Sequence, residues 1–330
     1  MVRLKDVAQA AGVSASTVSR ALSNPELISE ATRARVLAAA DRLGYRHHPA
    51  ARALVTGRTG LLAFSVPTLA NPFFAPIIAG AQEAAEEAGY ELIVAVTDSS
   101  PERETALFDR LADRVDGFAA AGPRSPASQL ARFARSLPLV TLNRRVRGVD
   151  SVIIDTPDGV GRLGTHLAGL GHRKIAYLGG PTGSWLDPRR LRRLREAVPD
   201  CAILPLGPFP PEFEAGARTV ETVLDAGCTA VIAYNSTLLL GLLHRLTMLG
   251  LSTPEDLSLA CADDLSAAGL AMPDVTALHV PAAEAGRRTV EHVLSLVASE
   301  SRSAAHQLLP VELLTRASTG RPRELPMSGG

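Results

Sequence analysis

Apolar positions change their period once along the chain, near residue 60. Before that point they recur at helical spacing. Leu4, Val7, Ala8 and Ala11 share one helical face, and Thr17, Val18, Ala21 and Leu22 share another. Gly12 lies between the two runs and suits a tight turn. Ser14 is placed to cap the second helix, because a hydroxyl there accepts an orphan backbone N–H. Asn24-Pro25-Glu26 reads as a turn. Ser29 is the expected N-cap of a third helix with the buried stripe Val36, Leu37, Ala40 and Leu43, ended by Gly44. Two short helices joined by a glycine-containing turn make a helix-turn-helix, whose second helix enters the DNA major groove.

From Leu61 short apolar runs alternate with helical stretches. LLAFSVP, ELIVAVT, DGFAAAGP, PLVTLNR and SVIIDT read as strands, with helices predicted over 76–88, 102–112 and 128–136. The order then restarts. Helices over 158–170, 188–197, 212–226 and 236–249 alternate with KIAYLGG, CAILPL, AVIAYN and LSLACAD. VTALHVP leads back to the first group, which regains a helix over 284–299, and LLPVELLTR supplies final strands. Strands alternating with helices predict parallel, doubly wound sheets, which bind ligands beyond the carboxyl ends of their strands. The predicted fold class is an all-α helix-turn-helix head plus an α/β core of two doubly wound lobes with a cleft between them. The head is expected over 1–45, a linker over 46–60, the core over 61–322 and a flexible tail over 323–330. The first lobe takes about 61–157 and 281–308, the second about 158–280 and 309–322.

Charge sharpens the picture. The net charge is zero, but residues 1–60 carry nine basic and four acidic side chains, a surplus of five that the remainder cancels. A basic head on an acidic body suits a polyanion reached through one end, although a solvated helical surface gives the same count. Cys201, Cys228 and Cys261 have no metal-ligand spacing and read as buried thiols. No apolar leader follows MVRLKD and no run of about 18 apolar residues exists, so the expected location is cytoplasmic, with no membrane partner.

VRLKDVAQAAGVSASTVSRALS, followed by ISEATRARVLAAADRLGYR, resembles the DNA-binding head of the LacI/GalR family of bacterial repressors. D-V-A, G-V-S, T-V-S-R, T-R and L-G-Y occur in that family's order and spacing. The resemblance implies that Ala15, Ser16 and Arg20 read bases. Arg20 can bond guanine O6 and N7, Ser16 reaches several base edges, and Ala15 offers a methyl to thymine. Thr17, Ser19 and Ser14 are expected on phosphates. In the linker, Ala51 and Leu54 match a hinge helix that forms on operator DNA, with Leu54 as the wedge that opens a base step from the minor groove. His47-His48 stands where the family has Pro-Asn, with Pro49 two residues later, which moves the expected start of the hinge.

The body is similar to the family's effector-binding core, and so to periplasmic sugar-binding proteins, from about Leu61 to Arg321. Its landmarks are NPFF at 71–74, DG at 116–117, HLAGLGHRKIAYLGGP at 166–181 and DD at 263–264. By family position the effector residues are Phe73, Phe74, Asn143, Asp155, Arg190, Asn235 and Asp263. A sugar-like ligand would stack on Phe73 or Phe74, bond Asp263 and Asn235 through hydroxyls, and be clamped by Arg190. Departures cluster here. Asn235-Ser236 replaces the family's Asn-Asp, Cys261-Ala262 replaces a Gly-aromatic pair, and arginines crowd positions 189, 190, 192, 193 and 195. Two meanings compete: a more anionic ligand such as a sugar acid or phosphate, or a solvated helix face on a core that has lost its response. Helical spacing keeps five arginines from sharing one inward face.

Gly159, Gly161 and Gly164 fit G-x-G-x-x-G, but Thr156-Pro157-Asp158 separates them from the strand and no acid follows at the required distance. Close helix packing is the expected use, and no cofactor or metal is expected. No nucleophile, base and acid cluster supports an enzyme. The expected function is a repressor that binds a palindromic operator as a homodimer, under a sugar-type effector. The tail lacks the apolar heptads of a tetramer-forming helix. The rivals are a transport solute-binding protein and an α/β sugar-processing enzyme.

Overall fold

The computed structural model describes residues 2–23, 27–45, 57–264, 275–299 and 305–323. The chain divides into two compact units, residues 1–60 and 61–330. The first contains α1 (Leu4–Ala11), α2 (Ala15–Ser23) and α3 (Glu30–Leu43). Val7, Ala8, Ala11, Val18, Ala21, Val36, Ala39 and Ala40 form its core. Gly12 ends α1 at φ 64°, the left-handed conformation the turn requires. Two details differ from the sequence reading. The buried face of α3 is Val36, Ala39 and Ala40, while Leu37 is 45% exposed. Residues i, i+3 and i+4 share a face, and Leu37 lies a residue out of phase. Ser29 occupies the N-cap of α3, but its hydroxyl donates to Thr32 Oγ1 at 3.0 Å rather than accepting a backbone N–H. The turn at 24–26 lies outside the described residues.

The second unit holds two six-stranded sheets. The first runs β1 (Leu61–Val66), α4 (Phe74–Glu87), β2 (Glu91–Val96), α5 (Pro101–Leu111), β3 (Gly117–Ala121), α6 (Ala127–Ser136), β4 (Leu139–Leu142) and β5 (Asp150–Ile154). The chain then crosses to α7 (Thr156–Gly169), β6 (Lys174–Leu178), α8 (Asp187–Ala197), β7 (Ala202–Leu206), α9 (Phe213–Ala217), α10 (Val220–Asp225), β8 (Ala230–Ala233), α11 (Ser236–Met248), β9 (Ser258–Cys261) and β10 (Thr276–His279). It returns through α12 (Ala282–Ala298) to β11 (His306–Leu309), and crosses again to β12 (Glu312–Leu314). Strand order is β11-β5-β4-β3-β1-β2 in one sheet and β12-β10-β9-β8-β6-β7 in the other. The pairing is parallel except for β12 against β10.

The alternation of side chains shows why both sheets are covered twice. Leu62, Phe64 and Val66 of β1 enter one core with Ile77 and Ala81 of α4 and Val290 and Val293 of α12. Ala63 faces the other way, into a core with Leu107, Phe108, Phe118 and Phe133. The second sheet repeats this: Ile175 and Tyr177 pack with Leu163 and Leu194, and Ala176 and Leu178 with Val223, Leu239 and Leu242. A strand buried on both faces shows a continuous apolar run, which is what the sequence displays.

The helix predicted over 212–226 is broken into α9 and α10. Gly216 meets the backbone of α11, where an added Cβ would lie 1.9 Å from the Leu238 oxygen. Thr219 donates its hydroxyl to the Gly216 carbonyl at 2.7 Å, taking an acceptor from the helix ladder. α4 begins at Phe74 rather than Pro76, because proline is tolerated in a first helical turn. Gly159 and Gly164 are used for packing: added Cβ atoms would lie 2.5 Å from Leu278 and 2.3 Å from Leu194. Cys201 is half-buried rather than buried, and Cys228 and Cys261 are buried. No described helix is long and apolar enough to cross a membrane.

Gly241→Ala should destabilise the chain by about 3 kcal/mol or more, since its Cβ would stand 1.8 Å from the Phe213 oxygen. Gly169→Ala, at an exposed helix end with nothing within 4 Å, should stabilise by about 0.5–1 kcal/mol. Denaturant titration of both variants checks the contrast; equal effects would contradict the packing described.

Candidate functional site

Two sites emerge, one in each unit. In the head, Ser14 Oγ accepts the Thr17 N–H at 3.1 Å and so caps α2. The same oxygen lies 2.7 Å from Ser16 Oγ and 2.8 Å from Thr17 Oγ1. Val18 is buried and fixes the helix face. Ser16 and Arg20 are exposed, and Thr17 and Ser19 are half-buried. Ala15 packs partly against the head's core. Its methyl is therefore anchored, while Ser16 and Arg20 extend from the same helix toward solvent. Ala51 and Leu54 lie outside the described residues.

In the second unit a cavity with an empty volume of about 850 Å³, its mouth included, lies beyond the carboxyl ends of the strands of both sheets. β1 leads to Pro67 and Thr68, β3 to Arg124, β4 to Asn143, β8 to Tyr234 and Asn235, and β9 to Asp263, all on its wall. The structure thus gathers Phe73, Phe74, Asn143, Arg190, Asn235 and Asp263 around one space. Asp155 is not on the wall. It caps α7 by accepting the Asp158 N–H at 3.3 Å, and its own N–H donates to Leu309 of β11.

Arg190 is 6% exposed. Its Nε donates to Thr156 Oγ1 at 2.9 Å and its Nη1 to the Tyr234 carbonyl at 3.0 Å, and the guanidinium lies 4.6 Å from the Tyr234 ring centre. Asp263 accepts the Ser236 N–H at 2.7 Å and the Cys261 thiol at 3.3 Å. Burial raises the Asp263 pKa above the ordinary carboxylate value, against the hydrogen bonds from Cys261 and Ser236 and the charge of Arg190. Asn235 caps α11 through Oδ1, bonded by the Leu238 N–H at 3.1 Å. Asn143 holds φ 61° while its Oδ1 accepts the Ile154 N–H at 3.0 Å. Phe73 and Phe74 meet edge to face, 5.4 Å apart. Gly180 is required beside this wall, where an added Cβ would lie 2.3 Å from the Tyr234 ring.

Of the five crowded arginines only Arg190 turns inward. Arg189 lies on the Trp185 ring at 3.5 Å, Arg192 pairs with Glu196, Arg193 pairs with Asp158, and Arg195 is exposed. The sequence reading missed Arg124, Trp185 and Tyr234, which also line the cavity. Arg124 and Tyr234 sit just beyond the ends of β3 and β8, the signal that would have found them, whereas Trp185 lies in the longer connection between β6 and α8. Among the described residues no group of three His, Cys, Asp or Glu side chains is arranged to hold a metal ion.

A carboxyl with a raised folded-state pKa costs stability above that pKa. The cost disappears as pH falls toward the unfolded value. Asp263→Asn retains an acceptor for the Ser236 N–H and removes the charge. It should stabilise the unliganded protein at neutral pH, and the gain should shrink toward about pH 4. Urea denaturation at both pH values checks this; a variant less stable at neutral pH would contradict it.

Comparison with known proteins finds one family model in each unit. Residues 3–48 match the model of bacterial regulatory proteins of the lacI family, and residues 165–319 that of the periplasmic binding protein-like domain. The chain is 31% identical over 335 residues to the HTH-type transcriptional repressor CytR of Escherichia coli, spanning 98% of this chain and 97% of CytR. It is 29% identical over 329 residues to the HTH-type transcriptional regulator DegA of Bacillus subtilis, spanning 95% and 97%. The lac repressor dimer bound to operator and the anti-inducer ONPF superimposes with a TM-score of 0.82 at 26% identity, over 97% of this chain and 99% of that one. The chain belongs to the LacI family of bacterial regulatory proteins, and is a DNA-binding transcriptional regulator rather than an enzyme.

Proposed function

We propose that the protein is a repressor that binds a palindromic operator as a homodimer and is controlled by a small sugar-type effector in the cleft. The observation that carries the reading is a capped recognition helix with Ser16 and Arg20 exposed, on the same chain as a buried polar cleft at strand carboxyl ends. Relatives support the effector class: one solved structure, similar at 27% identity with a TM-score of 0.69, is the regulator CelR in complex with cellobiose. CytR is a repressor, and the lac repressor structure is a dimer on operator. The place of action is the cytoplasm, where the DNA is.

Pairing of two chains through the core would set two heads on successive half-sites. Exposed apolar side chains are available for it. Val94 and Val96 lie on the edge strand β2, and Phe213, Leu240 and Met248 lie on α9 and α11. The effector acts by linkage: it binds one DNA-competence state better than the other, by the amount it changes operator affinity. Release and corepression are the same machinery with opposite sign.

Selection of bound sites from random DNA should return a two-fold symmetric sequence. On it, Arg20→Ala should lose about 1–3 kcal/mol at one base position and relax preference there. Unchanged affinity for both selected and random DNA would refute the assignment of α2. Light scattering should report a dimer, and a stable tetramer would contradict the pairing.

A further inference from the structure

The cleft holds more hydrogen-bond donors than the chain satisfies. Arg124 lines the cavity just beyond β3 of the first lobe, and its Nε and Nη1 are buried without a hydrogen-bond partner. Burial lowers its pKa, with nearby Tyr234, Glu104 and Asp187 opposing. A guanidinium nevertheless stays protonated in proteins. The neighbouring acids are already occupied. Glu104 accepts the backbone N–H groups of Arg124 and Ser125 and the Ser125 hydroxyl, at 2.7 to 2.9 Å. Asp187 accepts the Tyr177 hydroxyl at 2.8 Å and the Gly180 N–H at 2.9 Å.

Asn235 supplies a second unsatisfied donor. The residue is 2% exposed and lines the same cavity, and its Nδ2 is buried without a partner. Among the described residues the charged side chains on the wall are Arg124, Arg190 and Asp263, a surplus of one positive charge. Guanidinium N–H groups buried without a partner are costly, so an arriving anion gains the hydrogen bonds that the chain does not supply. Arg124 also reaches the second lobe: an added Cβ at Gly183 would stand 3.5 Å from its Nη1. An anion held there would touch both sides of the cleft.

We propose that the effector is a sugar-like molecule carrying one anionic group, a carboxylate or a phosphate, which docks on Arg124 while Asn235, Arg190 and Asp263 take its hydroxyls. This rests on the reading of the cleft as the effector site. The other arginines between 189 and 195 play little part, since all but Arg190 lie on the surface or against Trp185.

The test is calorimetry on the full chain with D-glucose, D-ribose, D-gluconate, D-glucuronate, D-glucose 6-phosphate and inorganic phosphate. At least one sugar anion should bind about tenfold or more tightly than the neutral sugars. Whether the acids or the phosphate ester leads identifies the group. Arg124→Met should lose that advantage, and Arg124→Lys should regain part of it. Without added ligand the Arg124→Met protein should melt no lower than the parent, because the two buried donors it removes have no hydrogen-bond partner in the chain. Neutral sugars binding as tightly as the anions, no sugar anion binding the folded chain, or Arg124→Met leaving anion affinity intact would each overturn the proposal. Inorganic phosphate binding alone would mark an adventitious ion and count against it. DNA binding by the same preparations separates the two readings. A chain that binds the anion but no DNA loses the repressor reading alone, and one whose operator affinity responds only to neutral sugar loses the anion alone.

Discussion

The cleft depends on one buried guanidinium. Arg190 enters from α8, bonds Thr156 at the first residue of α7, bonds the Tyr234 carbonyl after β8, and lies on the Tyr234 ring. Thr156 follows the first passage of the chain between lobes, so the cation ties that crossover to the strand ends that carry Asn235 and Asp263. Its bonds to Thr156 and Tyr234 offset part of the cost of enclosing the charge. The wall around it is correspondingly fixed: Gly180 has no side chain because the Tyr234 ring fills the space, and Asp263 is locked to the Ser236 N–H.

Such a site suits a switch. Two lobes joined by several crossings can close on a ligand, and interactions in a water-poor cleft weigh more than the same contacts in solvent. Control of DNA binding then needs only a difference in effector affinity between two arrangements of the core. The buried polar groups for which the chain itself supplies no partner are where that difference can arise, because they gain most from occupancy. Specificity on DNA has a different source. In the proposed function, Ala15, Ser16 and Arg20 give few base contacts per head, and discrimination would lean on the spacing of two heads.

Much of the fold is legible in the sequence because period and punctuation agree. The doubly buried strands are continuous apolar runs, and Gly12 and Gly44 stop their helices in the left-handed conformation. Errors fall where local pattern is degenerate. The stretch VLAAADRL carries apolar residues on several sides, so its phase depends on packing, and Leu37 was exchanged for Ala39. The break between α9 and α10 depends on the close approach of α11, which no local signal shows. In the cleft, the resemblance located residues that follow strand ends, such as Asn143, Asn235 and Asp263. Asp155 follows a strand too, but its carboxylate caps α7 instead. Arg124 escaped notice because burial of donors without a partner is a tertiary property, and Tyr234 because its ring's place beside Arg190 is one too.

Reciprocal linkage is the most direct test that the cleft controls the head. Effector affinity, measured by calorimetry with and without saturating operator, must change by the same factor as operator affinity measured with and without saturating effector. The account predicts equal factors that differ from one. Effector affinity that is the same on and off operator would contradict it.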